Sequence, residues 1–373
     1  MKNRWVLTVL ALVFVLLGCQ QQRDAYKALQ TVMADTVAAD GPGVVLLVEG
    51  PGIGQQIFAR GLADREKGTP MRTVSHYRIG GLTKPFISSL VLQMVSEGKL
   101  SLDDTLAQRL PDTPALNEDE VAVLFPHSDQ ITIRHLLNMT SGIPDYRDNP
   151  AFWQVVNAQQ KRGWQPEELL PYAAELPVTA VPGEAFHYSN TNYLLLQMIL
   201  ATVLKDPLAE ELRDRIWDPV DMPDTYIEPI ALTSGGHIAG YKDMDGDGVL
   251  ENTLLYDDAR GLADLGLISS AIDLGEFAPA LYARTLPGAD GRAQTLSTLP
   301  TGNGADEYGL GIMRRPSAWG EMWGYDSTTS GYSHQMWYLP DHKVTVVVLI
   351  SGEEPELANE LVERALTAVL FSE

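Results

Sequence analysis

Cysteine is nearly absent from this chain, since Cys19 is the only one among 373 residues. A single cysteine has no partner in the same chain, so an intrachain disulfide and a thiolate metal site are both excluded. Histidines at zinc-binding spacing are also lacking, and no internal repeat or low-complexity segment occurs. The length and the 45% apolar composition instead predict a chain that folds around a large shared core.

Positive charge is scarce as well. Lys and Arg number 27 against 49 Asp and Glu, which gives a formal net charge of −22. Loss of residues 1–18 would remove two basic residues and no acidic one, leaving 25 against 49, or −24. A surface this acidic repels nucleic acid and anionic lipid, so neither is expected as a partner. The charge is spread along the chain, as is typical of the solvated surface of an exported or salt-adapted protein.

The longest apolar stretch near the N-terminus is short. Lys2 and Arg4 precede a 13-residue run from Trp5 to Leu17 in which only Thr8 is not apolar. This run is too short to span a bilayer comfortably. A positively charged start followed by such a run predicts a cleaved export signal over residues 1–18.

The run ends in Leu16-Leu17-Gly18-Cys19, which resembles the lipobox of bacterial lipoproteins. The resemblance implies that Cys19 is lipidated, becomes the mature N-terminus and anchors the protein to a membrane, with residues 19–23 as a tether. Gln20 then implies sorting to the outer membrane, facing the periplasm. The alternative is an ordinary signal peptide with a chance cysteine.

The segment from Tyr77 to Phe86 reads YRIGGLTKPF and is followed by the apolar, helix-like run from Ile87 to Val95. It resembles the nucleophile segment of serine β-lactamases and penicillin-binding DD-peptidases, the class C β-lactamase-related serine hydrolases. In that family a serine at a helix start precedes a lysine by one turn. The lysine corresponds to Lys84, but the nucleophile position falls on Gly81, which has no atom that can attack a carbonyl.

A second match lies at Pro182 to Tyr193, which reads PGEAFHYSNTNY. The resemblance places the family's Tyr-x-Asn element on Tyr188, Ser189 and Asn190, where the tyrosine transfers a proton and the asparagine amide helps to hold the substrate. A phenol does this near neutral pH only beside a cation such as Lys84. The alternative is that these residues remain for packing and hydrogen bonding.

The third family element is a strand triplet of Lys or His, a small residue and Gly. Counting back from Gly331-Tyr332-Ser333 places it on Tyr325, Asp326 and Ser327, which all depart from the family pattern. The cationic or imidazole donor has become a phenol, and the glycine that lets substrate lie against the strand has gained a side chain. Asp326 adds an anion where the family recognises carboxylates.

Other polar residues carry weaker signals. The stretch Ile131 to Tyr146 also resembles the family, but its Ser141 belongs to turn chemistry, with no base partner nearby in sequence. His135 and His187 are expected to be packed or surface histidines and not ligands.

An acidic loop follows at Asp243 to Glu251, which reads DMDGDGVLE. Counted from Asp243 as position 1, carboxylates at positions 1, 3 and 5 and glycine at position 6 match the first half of a calcium loop. Glu251 stands at position 9. Position 12 is Leu254 where a bidentate glutamate is usual, so a weak structural Ca²⁺ site is the prediction. The metal ligands would be Asp243, Asp245, Asp247 and Glu251. The alternative is a solvated Asp/Gly turn.

The family resemblance spans the mature chain and implies an α+β fold (an α/β sandwich) over residues 24–373. An antiparallel sheet flanked by helices is expected from about 24–80 and 300–373, with a mostly helical lobe at about 81–299 and the site between the two. The residues themselves predict helices at Asp24 to Ala39 and Glu354 to Leu370. They also predict strands at Tyr308 to Ile312 and within His334 to Ile350.

Three functions follow from these observations. The leading hypothesis is a lipid-anchored, catalytically impaired relative that binds a peptidoglycan-like or other acyl ligand, or a protein partner. The alternative is an active hydrolase of DD-carboxypeptidase, esterase or β-lactamase type that uses a non-serine mechanism, such as water activated by Tyr188 and Lys84. The third is a purely structural envelope protein. No cofactor is required by any of them.

Overall fold

A computed structural model describes residues 20–113, 115–159, 163–228, 237–244, 246–256, 258, 261–282 and 288–371. The predicted signal peptide, Cys19 and Asp245 lie outside the described residues. None of the described helices combines the length and the apolar character needed to cross a bilayer.

The strands are numbered in chain order: β1 Val44–Gly50, β2 Gly54–Arg60, β3 Leu62–Asp64, β4 Thr69–Pro70, β5 Tyr77–Arg78, β6 Tyr226–Ile227, β7 Tyr241–Lys242, β8 Glu251–Asn252, β9 Leu267–Ser269, β10 Leu299–Pro300, β11 Glu307–Tyr308, β12 Met313–Ser317, β13 Gly320–Thr329, β14 Tyr332–Leu339 and β15 Val344–Ile350. The helices are α1 at 20–36, α2 Thr83–Ser96, α3 Leu106–Arg109, α4 Glu118–Leu124, α5 Ile133–Leu137, α6 Pro150–Ala158, α7 Pro166–Ala174, α8 Thr191–Val203, α9 Leu208–Leu212, α10 Ala271–Tyr282, α11 Gly288–Thr295 and α12 Pro355–Leu370.

Eight strands of the described chain form one antiparallel sheet in the order β10-β11-β12-β13-β14-β15-β1-β2. Strand β1 lies inside it because both of its faces are apolar. Val44, Leu46 and Val48 pack into the core on one side of the sheet, and Val45 and Leu47 into the core on the other. This two-residue alternation, together with pairing to β15 and β2, fixes the strand register.

Helices cover both faces of the sheet. On the outer face, α1 and α12 contribute residues such as Leu29 and Leu361 to the smaller core. On the inner face, α10 packs against β1, β14 and β15, although it falls within the predicted helical range 81–299. The larger core continues from there into helices α2 to α9. The predicted α+β architecture of an antiparallel sheet flanked by helices is thus confirmed.

Helix α2 is the element that carries the predicted nucleophile segment into the centre of the molecule. It has hardly a polar face, since all but three of its residues are buried. A single 3₁₀ turn at Gly80–Leu82 leads into it, and Gly80 adopts a φ of 54° that a residue with a side chain disfavours. Phe86 stacks on Phe277 of α10 with ring centroids 3.7 Å apart. Helix α2 is therefore held between the sheet-covering helix and the helical region.

Two local expectations differ from the structure. Residues 20–23, expected as a tether, already belong to helix α1. The strand predicted over Tyr308 to Ile312 ends at Tyr308, and a new strand begins only at Met313. The reason is Gly311, whose φ of 75° turns the chain where its Cα lies close to the side chain of Ser88.

Candidate active site

Gly81 lies in the turn before α2 and faces strand β13. Its N–H donates a hydrogen bond to the Oγ of Ser327 at 2.8 Å. A Cβ atom at Gly81 would lie 3.1 Å from Ser327 Oγ and 3.3 Å from the hydroxyl oxygen of Tyr188. It would also lie 3.3 Å from the ring of Tyr325. A side chain at position 81 would thus point directly into the group of residues that the sequence singled out.

Lys84 lies one helical turn further along α2 and is fully buried. Its Nζ donates hydrogen bonds to Asn190 Oδ1 at 2.7 Å and to the main-chain oxygen of Asp264 at 2.9 Å. The same atom lies 5.0 Å from the ring centre of Tyr188 and 5.5 Å from that of Tyr193. Hydrogen bonds and aromatic faces together compensate an ammonium group that has lost its water.

Asn190 is held at the start of α8 by a residue that the sequence did not point to. Its side-chain amide donates to Asp145 Oδ2 at 2.6 Å, and its backbone N–H donates to the same oxygen at 3.1 Å. This pairing turns the carbonyl oxygen of the asparagine toward Lys84. Asp145 follows Pro144 in a turn, and no motif in the sequence connects it with Asn190.

Three tyrosines form a chain of hydroxyl groups that leads from the core to the cleft. Tyr308 and Tyr325 are buried, and their hydroxyl oxygens are 2.9 Å apart. Tyr325 donates onward to Tyr188, which is 37% exposed, at 3.3 Å. Burial raises the pKa of Tyr308 and of Tyr325 well above 10, so both remain protonated donors. Tyr308 was not among the predicted site residues.

Strand β13 places the predicted triplet along the cleft. Tyr325 and Ser327 are both next to Gly81, as expected for residues two apart in a strand. Asp326 instead forms an ion pair with Arg315 at 2.6 Å, and Arg315 also binds Asp306 at 2.7 Å. One guanidinium is therefore shared by two carboxylates, which leaves this edge of the cleft acidic.

Asp264 is a further buried acid behind Lys84. Its Oδ2 accepts a hydrogen bond from the hydroxyl of Tyr146 at 2.8 Å, and its Oδ1 is buried without a hydrogen-bond partner. Burial raises the pKa of Asp264 to about 6, although Lys84 and Tyr146 act in the opposite direction. An isolated Asp in a glycine- and leucine-rich stretch carries no sequence signal for such a role.

Several of these residues border a cavity of about 350 Å³ between the sheet edge and the helical region. Tyr188, Asn190, Tyr325, Asp326 and Ser327 all line it. A cavity of this size is at the lower end of the range that small organic ligands occupy. The structure therefore brings the predicted residues of the three sequence elements to one site.

The remaining predicted residues lie elsewhere. Ser141 is buried and donates to Asn192 Oδ1 at 2.7 Å within the helical region. His135 forms part of the cap of α5, and burial lowers its pKa. His187 donates its backbone N–H to the oxygen of Met139 at 2.8 Å. All three are packing residues.

In the acidic loop, the carboxylates bind backbone amides. Asp243 accepts hydrogen bonds from the N–H groups of Gly246 and Gly248 at 2.6 and 2.9 Å. Glu251 accepts one from Met244 at 2.8 Å. Within the part of the chain that the structure describes, no three His, Cys, Asp or Glu side chains are grouped so that they could hold a metal ion. Asp245 is outside that part, and the calcium site stays a prediction.

The family model described as Beta-lactamase matches residues 29–370. Penicillin-binding protein 4* of Bacillus subtilis (strain 168) is 26% identical over 345 residues, which are 89% of this chain and 72% of that protein. Esterase EstB of Burkholderia gladioli is 30% identical over 182 residues, which are 44% of this chain and 42% of the esterase. The chain thus spans less than half of that esterase.

A solved structure of a D-stereospecific amidohydrolase from Streptomyces sp. has the same fold, with a TM-score of 0.78 and 24% identity. The match covers 91% of this chain and 97% of that one. The chain therefore belongs to the Beta-lactamase family, whose members are serine hydrolases such as penicillin-binding proteins and esterases. The resemblance predicted from the sequence motifs is confirmed at the level of family and fold.

Proposed function

We propose that the protein binds an acyl compound of peptide or amino-acid amide type in the cleft beside Lys84, as a catalytically impaired member of its family. The proposal rests on one observation: the cleft is assembled, yet glycine stands at position 81, where the family has its nucleophile. Lys84, Tyr188 and Asn190 retain contacts suited to a carbonyl ligand, while position 81 offers no atom that could be acylated. Acyl transfer through residue 81 is lost, and binding is retained.

The chemistry of the cleft supports an amide-type ligand. The Tyr188 hydroxyl and the amide of Asn190 can exchange hydrogen bonds with a peptide-like group. The acidic edge formed by Asp306 and Asp326 around Arg315 favours a ligand that carries an amine. The names of a penicillin-binding protein and a D-stereospecific amidohydrolase among similar proteins are consistent with ligands that contain D-amino acids.

Isothermal titration with D-phenylalanine amide and with D-alanyl-D-alanine tests this proposal. Wild-type protein should bind at least one of them. Ser327→Trp, whose side chain enters the cleft from β13 opposite Gly81, should weaken binding by at least about tenfold. Ser96→Trp, at the exposed end of α2, is the matched control and should bind like wild type. Absence of binding by wild type, or equal binding by Ser327→Trp, would contradict the proposal.

A second candidate function is hydrolysis by water that Tyr188 and Lys84 activate. The position of Tyr188 at the cavity, with Lys84 Nζ 5.0 Å from its ring centre, favours it, because a phenol oxygen in the cleft can relay a proton from an attacking water. Turnover of D-phenylalanine amide that Tyr188→Phe slows, without any acylated residue in the intact mass, would support this candidate. Absence of ammonia release would exclude it for this substrate.

Anchoring at the outer membrane through lipidated Cys19 remains a further proposal, supported by the sequence of the N-terminal segment. Metabolic labelling with a radioactive fatty acid should label the wild-type protein and leave Cys19→Ser unlabelled. Label on the variant, or none on the wild type, would contradict the anchor.

Weak binding of Ca²⁺ by the acidic loop is also proposed, with Asp243, Asp245, Asp247 and Glu251 as ligands. Millimolar Ca²⁺ should then raise the melting temperature, and Mg²⁺ much less, because an ion bound only to the folded state stabilises it. Asp243→Asn should remove the effect. Identical melting curves with Ca²⁺ and with a chelator would remove the claim.

A further inference from the structure

The hydroxyl group missing at position 81 has a counterpart on the opposite wall of the cleft. Ser327 Oγ lies 3.1 Å from the point where a Cβ at residue 81 would be, and the Tyr188 oxygen lies 3.3 Å from the same point. Ser327 is partly exposed to the cavity that the ligand would enter. The hydroxyl groups of Ser327 and Tyr188 therefore border the same point of the cleft, and strand β13 supplies the serine in place of helix α2.

The hydrogen bonds around this hydroxyl suit a nucleophile. Ser327 Oγ is the acceptor of the bond from the Gly81 N–H, so its own proton remains to be donated. That N–H would also lie beside an oxyanion formed on a carbonyl carbon bonded to Oγ. Gly81 permits this close approach, because any side chain there would meet both hydroxyl groups.

The chain of tyrosine hydroxyl groups orients the hydroxyl proton of Tyr188. Tyr325 donates to the oxygen of Tyr188, so the proton of Tyr188 is free to point into the cleft. Tyr188 can then accept a proton on its oxygen while it gives its own proton to another group. A neutral phenol placed in this way relays a proton without changing its charge.

From this arrangement we infer that Ser327 is the nucleophile of a slow acyl transfer in this cleft. The inference rests on the proposed function, because it requires an acyl ligand to bind there. Oγ forms a bond to the carbonyl carbon, and the bond from that carbon to the leaving nitrogen or oxygen breaks. The Ser327 proton passes to the Tyr188 oxygen, and the Tyr188 proton passes to the leaving group. Water then cleaves the ester by the reverse route, which restores the serine and releases the acid.

The test uses p-nitrophenyl acetate with the whole protein. Wild type should release a burst of about one equivalent of p-nitrophenol, as a covalent intermediate does when its hydrolysis is slower than its formation. Peptide mass spectrometry should find the acetyl group on Ser327. Ser327→Ala should reduce the burst by at least about tenfold, and Tyr188→Phe should reduce its rate without moving the label.

Ser96→Ala, which removes an exposed serine outside the cleft, is the matched control and should keep the full burst. Melting curves and the D-phenylalanine amide titration on each variant separate lost chemistry from lost fold or lost binding. An acetyl group on another residue such as Thr329, or a full burst in Ser327→Ala, would overturn the inference. Ligand binding without any burst in wild type would also overturn it while leaving the proposed function intact.

Discussion

At the scale of single residues, Gly81 and Ser327 depend on each other. The Gly81 N–H is bonded to the Ser327 hydroxyl, and the space for a Cβ at position 81 is bounded by that hydroxyl and by Tyr188. Because φ at Gly81 is not in the left-handed region, the backbone itself would accept another residue. The tight contacts, and not backbone strain, therefore determine which side chain position 81 can accept.

Gly81→Ser should destabilise the protein by about 1–3 kcal/mol, because the new side chain overpacks the cleft. Ser327→Gly should cost about 1 kcal/mol through loss of the hydrogen bond to Gly81. The double variant should be less destabilised than the sum of the two, with a coupling of about 0.5–3 kcal/mol, since one hydroxyl replaces the other. Urea unfolding of the four proteins measures this cycle.

A control cycle pairs Gly81→Ser with Ser96→Ala at the far end of α2, where effects should add to within about 0.5 kcal/mol.

The cycle also bears on repair of the family chemistry. Acylation by a chromogenic cephalosporin should be weak in Gly81→Ser and should rise more than additively when Tyr325→His and Ser327→Gly are included. Full turnover by Gly81→Ser alone would show that the strand triplet does not limit the site.

Asp264 should make stability depend on pH. Its folded-state pKa of about 6 exceeds the ordinary value of 3.8, so the folded protein holds a proton that the unfolded chain has lost between these values. The contribution is fully present below about pH 4 and is lost as the pH rises through about 6. Asp264→Asn, which stays neutral, should therefore gain on the order of 2–3 kcal/mol relative to wild type between pH 4 and pH 7.5.

Urea unfolding of both proteins at these two pH values gives the difference. Asp103 supplies the matched control, since its side chain is 83% exposed, and Asp103→Asn should differ from wild type by less than about 0.5 kcal/mol at both. A constant difference between Asp264→Asn and wild type would mean that Asp264 does not titrate in this range.

At the scale of elements, the short sheet β5-β9-β6 determines where α2 begins. Arg78 ends β5 and forms two hydrogen bonds of 2.8 Å to the carboxylate of Glu228, which directly follows β6. It also donates to the carbonyl oxygens of Thr253 and Leu254. Both charges are buried, and Gly80 and Gly81 follow within three residues. The ion pair thus anchors the chain just before the candidate site.

Glu228→Ala should destabilise the fold by about 3–5 kcal/mol, because it leaves the Arg78 guanidinium buried without its anion. Arg364→Ala, which breaks an exposed pair with Glu360 on α12, should cost less than about 1 kcal/mol. Chemical denaturation of the two variants beside wild type provides the comparison. Equal small losses would show that the carbonyl contacts of Arg78 suffice.

At the scale of the whole molecule, the net charge of −22 means that repulsion between surface carboxylates lowers the stability of the folded state. Raising NaCl from 0.01 to 0.1 M shortens the screening length from about 30 to about 10 Å. The melting temperature should rise, by about 1.3 °C for each kcal/mol gained in a chain of this size. Differential scanning calorimetry at pH 7.5 measures the change. A fall would mean that ion pairs such as Arg314–Glu307 outweigh the repulsion.

Much of the architecture could be predicted from the sequence alone. The apolar alternation of β1 and β15 and the apolar character of α2 are local properties that a window of residues carries in full. The family motifs in the sequence likewise pointed to Lys84, Tyr188 and Asn190. Even so, the strand expected at Tyr308 to Ile312 was wrong beyond its first residue. The chain turns at Gly311, where it packs closely against Ser88, a residue more than two hundred positions away in the chain.

Only the tertiary structure decided how the site is assembled. Asp264 lies 180 positions after Lys84 and Ser327 lies 246 after Gly81, yet each pair is joined by a hydrogen bond. No local pattern encodes such a contact, because it arises only when the sheet and the helical region close on their shared core. Burial in that core is also what raises the pKa values of Asp264 and Tyr325. The sequence determined which family the chain belongs to, and packing determined which hydroxyl faces the cleft.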